Sequence, residues 1–467
     1  MRDPRQAEAD ARALEHLGYV QQLLRAMGGF SNFALSFSII SILTGAVTLY
    51  GDGLRNGGPL VMGLGWPLVT VMTLFVAASM AELASAYPTA GALYHWASIL
   101  GGKGWGFATA WLNSVGQFAV TAGIDYGLAE FLAPALGLPA DRAHVMPLFA
   151  AILVSHAVLN HVGVRVVAIL NWFSAWYHIA GVALLVGALA ALAPLRPIGA
   201  LFGTFSAGGG SYAWTFAGGL LQAAWTFTGY DASAHVTEET VDPSRTAPWG
   251  IFLSVAVSGV VGWIMLAVVT LSIRDVPAAA AADNPFIFVI LGALGQRLGA
   301  AVLWVVMGAM WFCGLSSVTS NSRMLFAFAR DGGLPASRLV ARVSPRFRSP
   351  HVAVWASVAA ALAVGLWADA YTVMTALSTL ALYASYGMPI AASLVRAPRR
   401  GPWSLGGRSR PVRIVAVAWI VVLNAVIVVP HNAIAGYGFA ACVAAIFGYW
   451  LVWARARFAG PPTLTID

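Results

Sequence analysis

Charge is what this chain has least of. Asp, Glu, Lys and Arg make up 9% of its 467 residues and hydrophobic types 59%, whereas soluble domains are roughly a quarter charged. That deficit excludes an ordinary soluble enzyme or binding module. Lysine is nearly missing, with Lys103 alone beside 25 arginines. The arginine bias, with abundant Ala, Gly and Val, points to a GC-rich bacterial genome and a bacterial cytoplasmic membrane. Cysteine is scarce as well. Cys313 and Cys442 lie inside apolar runs, which excludes a disulfide framework or a cysteine metal cluster. The segment Met1 to Arg25 is polar and lacks the apolar core of a cleaved signal peptide. The histidines are scattered without metal-ligand spacing, no Gly-rich phosphate cradle runs into Lys-Ser/Thr, and no Ser-His-Asp set stands out. An enzyme is therefore not expected, and no cofactor or metal is implied.

What the chain does have is long apolar runs. About 20 such residues cross a bilayer, so one polytopic all-α domain over 26–457 replaces the roughly three soluble domains that length alone suggests. Twelve spans are expected, near 30–50, 60–86, 104–134, 145–162, 166–194, 213–235, 249–273, 299–325, 351–368, 371–395, 412–430 and 433–456. Residues 368–370 leave only a tight hairpin between the ninth and tenth. With both termini cytoplasmic, only Arg55, Arg142, Arg196, Arg274 and Arg297 of the 26 basic residues fall outside. Positive charge favours the inner side, which supports the span count and the orientation. The basic excess thus reports membrane topology and not nucleic-acid binding. The tail 458–467 is too short for the signalling domain of a membrane sensor.

Two spans are interrupted at matched depth. Span one carries Ser41-Ile42-Leu43-Thr44-Gly45, and span six carries Thr226-Phe227-Thr228-Gly229-Tyr230-Asp231. Broken backbone in the hydrocarbon is tolerated only where protein or a watery cavity surrounds it. The second break comes five spans after the first, so spans 1–5 (about 28–194) and 6–10 (about 213–396) are expected to form an inverted repeat. Two further helices, at 412–456, follow it. Paired breaks of this kind point to the solute site of a secondary transporter at the midplane. Amides around Leu43, Thr44 and Gly45 suit a carboxylate, and carbonyls near Trp225, Phe227 and Thr228 suit an ammonium. Trp225, Phe227 and Tyr230 offer an aromatic wall. The competing view is that Gly45 and Gly229 only allow close helix packing. Asp231, an intramembrane carboxylate, is expected to face the bundle interior and to mark a substrate or proton path.

Several segments resemble the amino acid–polyamine–organocation superfamily of transporters. They are Gly28 to Phe33, Ser41 to Gly45, Met80 to Tyr94, Trp225 to Thr240, and Asn321 to Met324 running into Ala329–Pro335. The Thr226–Thr240 string resembles the amino acid–choline branch. The resemblance covers nearly everything after residue 25. It implies that span one holds a substrate carboxylate, that span six holds the amine, and that Trp225 helps to occlude the substrate. In proton-coupled relatives a Lys on span five, seven residues after an Asn, replaces sodium. Here His178 stands seven residues after Asn171, while Ser316 and Ser317 match the hydroxyls of sodium-coupled relatives. Imidazole switches charge near physiological pH, so a proton is the expected coupling ion and sodium the alternative. The expected substrate is a small amino acid or amine such as GABA, with choline or a polyamine as alternatives. Pro88 to Gly91 is expected to start an interfacial helix. Glu82 is expected to latch onto an arginine of 323–348, with Glu238, Glu239, Asp242 and Arg245 in the same network.

Overall fold

The computed structural model describes residues 4–367, 371–428 and 433–462. Among them every regular element is helical, apart from one isolated bridge joining Met27 and Thr240. An N-terminal helix, α1 (Pro4–Glu15), precedes span one, which is split into α2 (Gly29–Ile40), α3 (Gly45–Thr48) and α4 (Tyr50–Gly57). Next come α5 (Trp66–Ala86), α6 (Leu93–Gly101), α7 (Lys103–Ala135), α8 (Arg142–Val162) and α9 (Val164–Leu192). Span six is broken into α10 (Tyr212–Gly219), α11 (Leu221–Thr226) and α12 (Ala232–His235). Helices α13 (Pro243–Leu271), α14 (Val276–Ala281), α15 (Pro285–Arg330), α16 (Ser337–Val340) and α17 (His351–Trp367) follow. The chain ends with α18 (Tyr371–Val395), α19 (Ser409–Val428), α20 (Ala433–Tyr449) and α21 (Arg455–Arg457). The expected hairpin at 368–370 lies outside the described residues.

Among the described residues, nine helical stretches have the length and apolar composition to cross a membrane. The other expected spans fall short for visible reasons: α7 is diluted by polar residues, span six is cut into pieces, and α17 has 17 residues. The outer surface is apolar, with Ile169, Trp172, Phe173 and Trp176 exposed on α9 and Val421 and Val422 on α19. A surface of this kind belongs in lipid. Inside, α7 packs on α18, α5 on α13, and α2 on α13, α9 and α15, so spans one and six are enclosed by other helices. The interfacial helix starts later than expected, at Leu93. Residues 88–92 form a turn that leaves through Ala92 at φ 43°.

Candidate functional site

The two interruptions meet. Helix α2 ends at Ile40, and Ser41 turns out of it with φ 20° and ψ 88°. The amides of Thr44 and Gly45 both donate to the Ser41 carbonyl, at 2.7 and 3.0 Å. The Ser41 and Thr44 hydroxyls lie 2.6 Å apart, and such short side chains compete with the helical ladder. Free amides are expected at Leu43, Thr44 and Gly45, but this turn consumes the last two. Within this turn the amides of Ile42 and Leu43 have no backbone acceptor.

Span six opens in a related way. Helix α11 stops at Thr226, and the Thr228 hydroxyl donates back to the Trp225 carbonyl at 2.7 Å. Gly229 sits at φ +86°, where an L side chain would be strained. Gly45 lies against Thr226, so a Cβ on it would come within 2.5 Å of Oγ1 and 2.8 Å of Cα. Thr44, Gly45, Trp225, Thr226, Thr228 and Cys313 line a small buried cavity here. It has room for about one water. Both glycines face protein, as a site between the spans requires.

The other expected site residues divide. Trp225 forms part of the wall, and its indole N–H donates to the Ser378 hydroxyl at 2.9 Å. Phe227 turns away from the cavity to pack on Trp66, with ring centroids 4.8 Å apart, and its carbonyl accepts from the Tyr383 hydroxyl at 3.2 Å. The aromatic wall is therefore Trp225 without Phe227, because the unwound backbone rotates successive side chains to opposite sides. Leu43 packs towards Gly181 of α9. Tyr230 lies tilted against Tyr386, with centroids 5.1 Å apart, and its buried hydroxyl has no partner.

Asp231 is fully buried and accepts from Asn113 (3.1 Å), Gln117 (3.4 Å) and Tyr386 (2.9 Å). His235 adds a contact at 3.2 Å, and its other nitrogen faces the Ala90 carbonyl at 3.1 Å. The Tyr386 hydroxyl also accepts the Gly229 amide at 3.2 Å, so this cluster holds the break in shape. His178 is aimed at span one: Nδ1 lies 2.8 Å from the Ser174 carbonyl and Nε2 lies 2.8 Å from the Ser41 hydroxyl. Ser316 instead donates to Asn171 at 2.8 Å, and Ser317 meets Thr121 at 2.7 Å. No cluster of metal-binding side chains occurs among the described residues.

Sequence reasoning missed the donors around Asp231. A signal was present, since Asn113, Gln117, Thr121 and Asp125 recur every four residues and so share one face of α7. That polar file runs along α15, where Gln117 meets Ser320 and Thr121 meets Ser317.

Charge gathers at the face that carries the N-terminal segment. Arg330 holds Glu238 through two bonds of 2.9 and 3.0 Å, and fully buried Arg323 holds Glu239 at 3.2 Å. The N-terminal segment closes over them. Gln21 donates to the Glu238 carbonyl, and Arg25 donates to those of Thr237 and Thr240. Glu82 departs from expectation: it pairs with Arg413 at 2.6 Å and accepts from Ser404 and Ser409, because α19 packs along α5. Asp242 takes its own contacts, accepting from Ser244 and donating its amide to Asp10.

Tyr19, Tyr94 and His95 converge on Asp331. Tyr19 donates at 2.6 Å, Tyr94 also donates, and His95 Nε2 lies 3.0 Å away. Burial pushes the Asp331 carboxyl up to about 7 and holds the His95 imidazole well below its usual range. Below pH 7 the contact is thus a neutral hydrogen bond. The unfolded carboxyl titrates near about 4, so Asp331 contributes stability fully below that pH and loses it as pH rises through about 7. Thermal midpoints measured from pH 4 to 8 should show Asp331→Asn flatter than the parent across this window and more stable above it. Parallel curves would remove the assignment.

An all-helical, polytopic fold built around two helices that unwind against one another is that of a membrane carrier and not of an enzyme. The amino acid permease family model matches residues 27–452, and the chain belongs to that family, within the amino acid–polyamine–organocation superfamily. It is 36% identical to the amino-acid permease BAT1 of Arabidopsis thaliana, an alignment that covers 96% of this chain and 95% of the plant protein. A BAT1 homolog of Oryza sativa is 35% identical over the same shares. The GABA-specific permease of Saccharomyces cerevisiae is 29% identical, over 76% of this chain and 66% of that one.

Proposed function

We propose that this permease imports a small amino acid or a related amine such as GABA by alternating access, coupled to protons. The observation that carries this reading is the meeting of the two breaks, where Gly45 lies on Thr226 beside a small buried cavity. The amides of Ile42 and Leu43 take the substrate carboxylate, the opened backbone at Thr226 and Thr228 takes the ammonium, and Trp225 covers the bound molecule. Asp231, Tyr230 and Gly229 set the shape of span six. His178 sets that of span one through Ser41, and Ser316 and Ser317 are the hydroxyls that would serve a sodium-coupled carrier. Sodium is the competing ion. The scaffold is twelve spans in a 5+5 inverted repeat, about 28–194 and 213–396. Helices at 412–456 complete it, with both termini cytoplasmic in a bacterial membrane.

One observation favours an amino acid over choline or a polyamine. Asp231 is absent from the cavity lining and its oxygens are already occupied by donors. A purely cationic solute would find no free carboxylate there. Thermal-shift measurements with amino acids, GABA, choline and putrescine test this. A true ligand at 100 times its Kd stabilises by about 2.7 kcal/mol. Stabilisation by choline or putrescine alone would reverse the assignment.

A further inference from the structure

A second buried carboxylate–imidazole pair lies at the depth of the cavity and has no part in the site described above. Asp125 of α7 and His156 of α8 are both fully buried, with His156 Nδ1 3.1 Å from Asp125 Oδ2. A carboxylate only accepts, so Nδ1 carries the hydrogen, which leaves Nε2 as a lone pair. That Nε2 and Asp125 Oδ1 are both buried without a partner. The pair is packed against Gly314 of α15, where any Cβ would come within 1.9 Å of Oδ1 and 2.6 Å of the imidazole. Ile124 and Cys313, the residues before Asp125 and Gly314, line the cavity itself. The pair therefore lies just behind the cavity wall.

We propose that Asp125 and His156 form the binding site for the coupling proton. This rests on the proton-coupled reading above. With His156 neutral the pair carries a net charge of −1 in the middle of the membrane, which is costly, and no Lys or Arg pairs with it among the described residues. One proton added to the Nε2 lone pair makes an imidazolium–carboxylate pair of net charge zero. It leaves again as that N–H bond breaks and the electron pair returns to nitrogen. The charge state matters to the cavity. An unprotonated pair repels a substrate carboxylate across the wall, and a protonated one does not. Proton and substrate thus favour each other's binding, and the coupling is reciprocal.

The surrounding groups leave this role to the pair. His178 has both ring nitrogens engaged, with Ser174 and Ser41. His235 has both ring nitrogens engaged as well, with Asp231 and the Ala90 carbonyl. From α15 the titratable group facing Asp125 is the Cys313 thiol, which donates to the Ile39 carbonyl at 3.2 Å, while Trp311 lies 5.2 Å from the imidazole. On α7, Tyr126 packs on Phe149 and Glu130 acts on Tyr126 and Tyr371. Helix α17 contributes His351, which meets His161 of α8 edge-on with centroids 5.6 Å apart.

The test uses the full chain in liposomes and a labelled mixture of the protein amino acids plus GABA. Uptake with an inside-alkaline pH gradient is compared with counterflow at symmetric pH. The wild type should be stimulated by the gradient about 10-fold, equivalent to a coupling of about 1.4 kcal/mol. Asp125→Asn and His156→Gln should lose that stimulation and keep counterflow at saturating substrate, His156→Gln needing more substrate to reach it because Asp125 stays charged. A Gln at 156 can still donate to Asp125, so it carries the test alone if Asp125→Asn fails to fold. Stimulation retained in either folded variant overturns the proposal. Counterflow lost together with stimulation also overturns it, because that marks a structural role. A wild type that transports but ignores the pH gradient fails differently, since it removes proton coupling itself.

Discussion

Replacing Gly45 by Leu should abolish transport while leaving the protein in the membrane. The added Cβ would meet Thr226 Oγ1 at 2.5 Å and its Cα at 2.8 Å. The second of these atoms is backbone, so no rotamer change relieves the clash and the two breaks must separate. Displacing groups that hold a substrate by about 1 Å can cost on the order of 100-fold in function, and uptake should fall by at least that. Gly229→Ala should do the same through its φ of +86° and a Cβ 2.2 Å from Ile39 Cγ2. Gly187 of α9 has nothing within 4 Å of its Cβ position, so Gly187→Ala should be silent. Liposome uptake of labelled amino acids reads all three. Near-normal rates in Gly45→Leu would remove the cavity from the transport cycle.

The largest effect on stability is expected at Arg323 and Glu239. Both are fully buried, 3.2 Å apart, and Arg323 also reaches Asn160 at 3.3 Å. Removing one partner of a buried pair strands the other charge and costs about 3–5 kcal/mol. Glu239→Ala should therefore lower the thermal midpoint by many degrees. The double variant Glu239→Leu/Arg323→Met should recover most of the loss, because a buried pair replaced by apolar groups of similar volume is often neutral or better. The contrast separates the cost of a lone charge from any worth of the pair. If the double variant is as unstable as the single one, the pair is supporting the Ala26 and Met27 amides, which donate to the Glu239 carbonyl.

These two cases show where sequence reasoning reaches and where it stops. The breaks were legible because they are local: Gly and Thr side by side in an apolar helix weaken the ladder whatever surrounds them. Asp231 was legible because a carboxylate at that depth must face inward. The partner of Glu82 was not, since the latch depends on α19 packing along α5. An arginine of 323–348 and Arg413 look alike on paper. Phe227 could not be told from Trp225 either, because the direction of a side chain in unwound backbone follows neither helical nor strand periodicity.

From its residue order alone this protein is an all-helical, multi-pass membrane carrier with two helices interrupted at matched positions, because hydrophobic run length and helix breakers act within one segment. Which polar groups share an enclosure was decided only in three dimensions. Asp125 meets His156 across 31 residues, and Asp231 meets Tyr386 across 155. Such meetings depend on how the helices pack, and hydrogen bonds short enough to satisfy a buried charge form only once that packing is set.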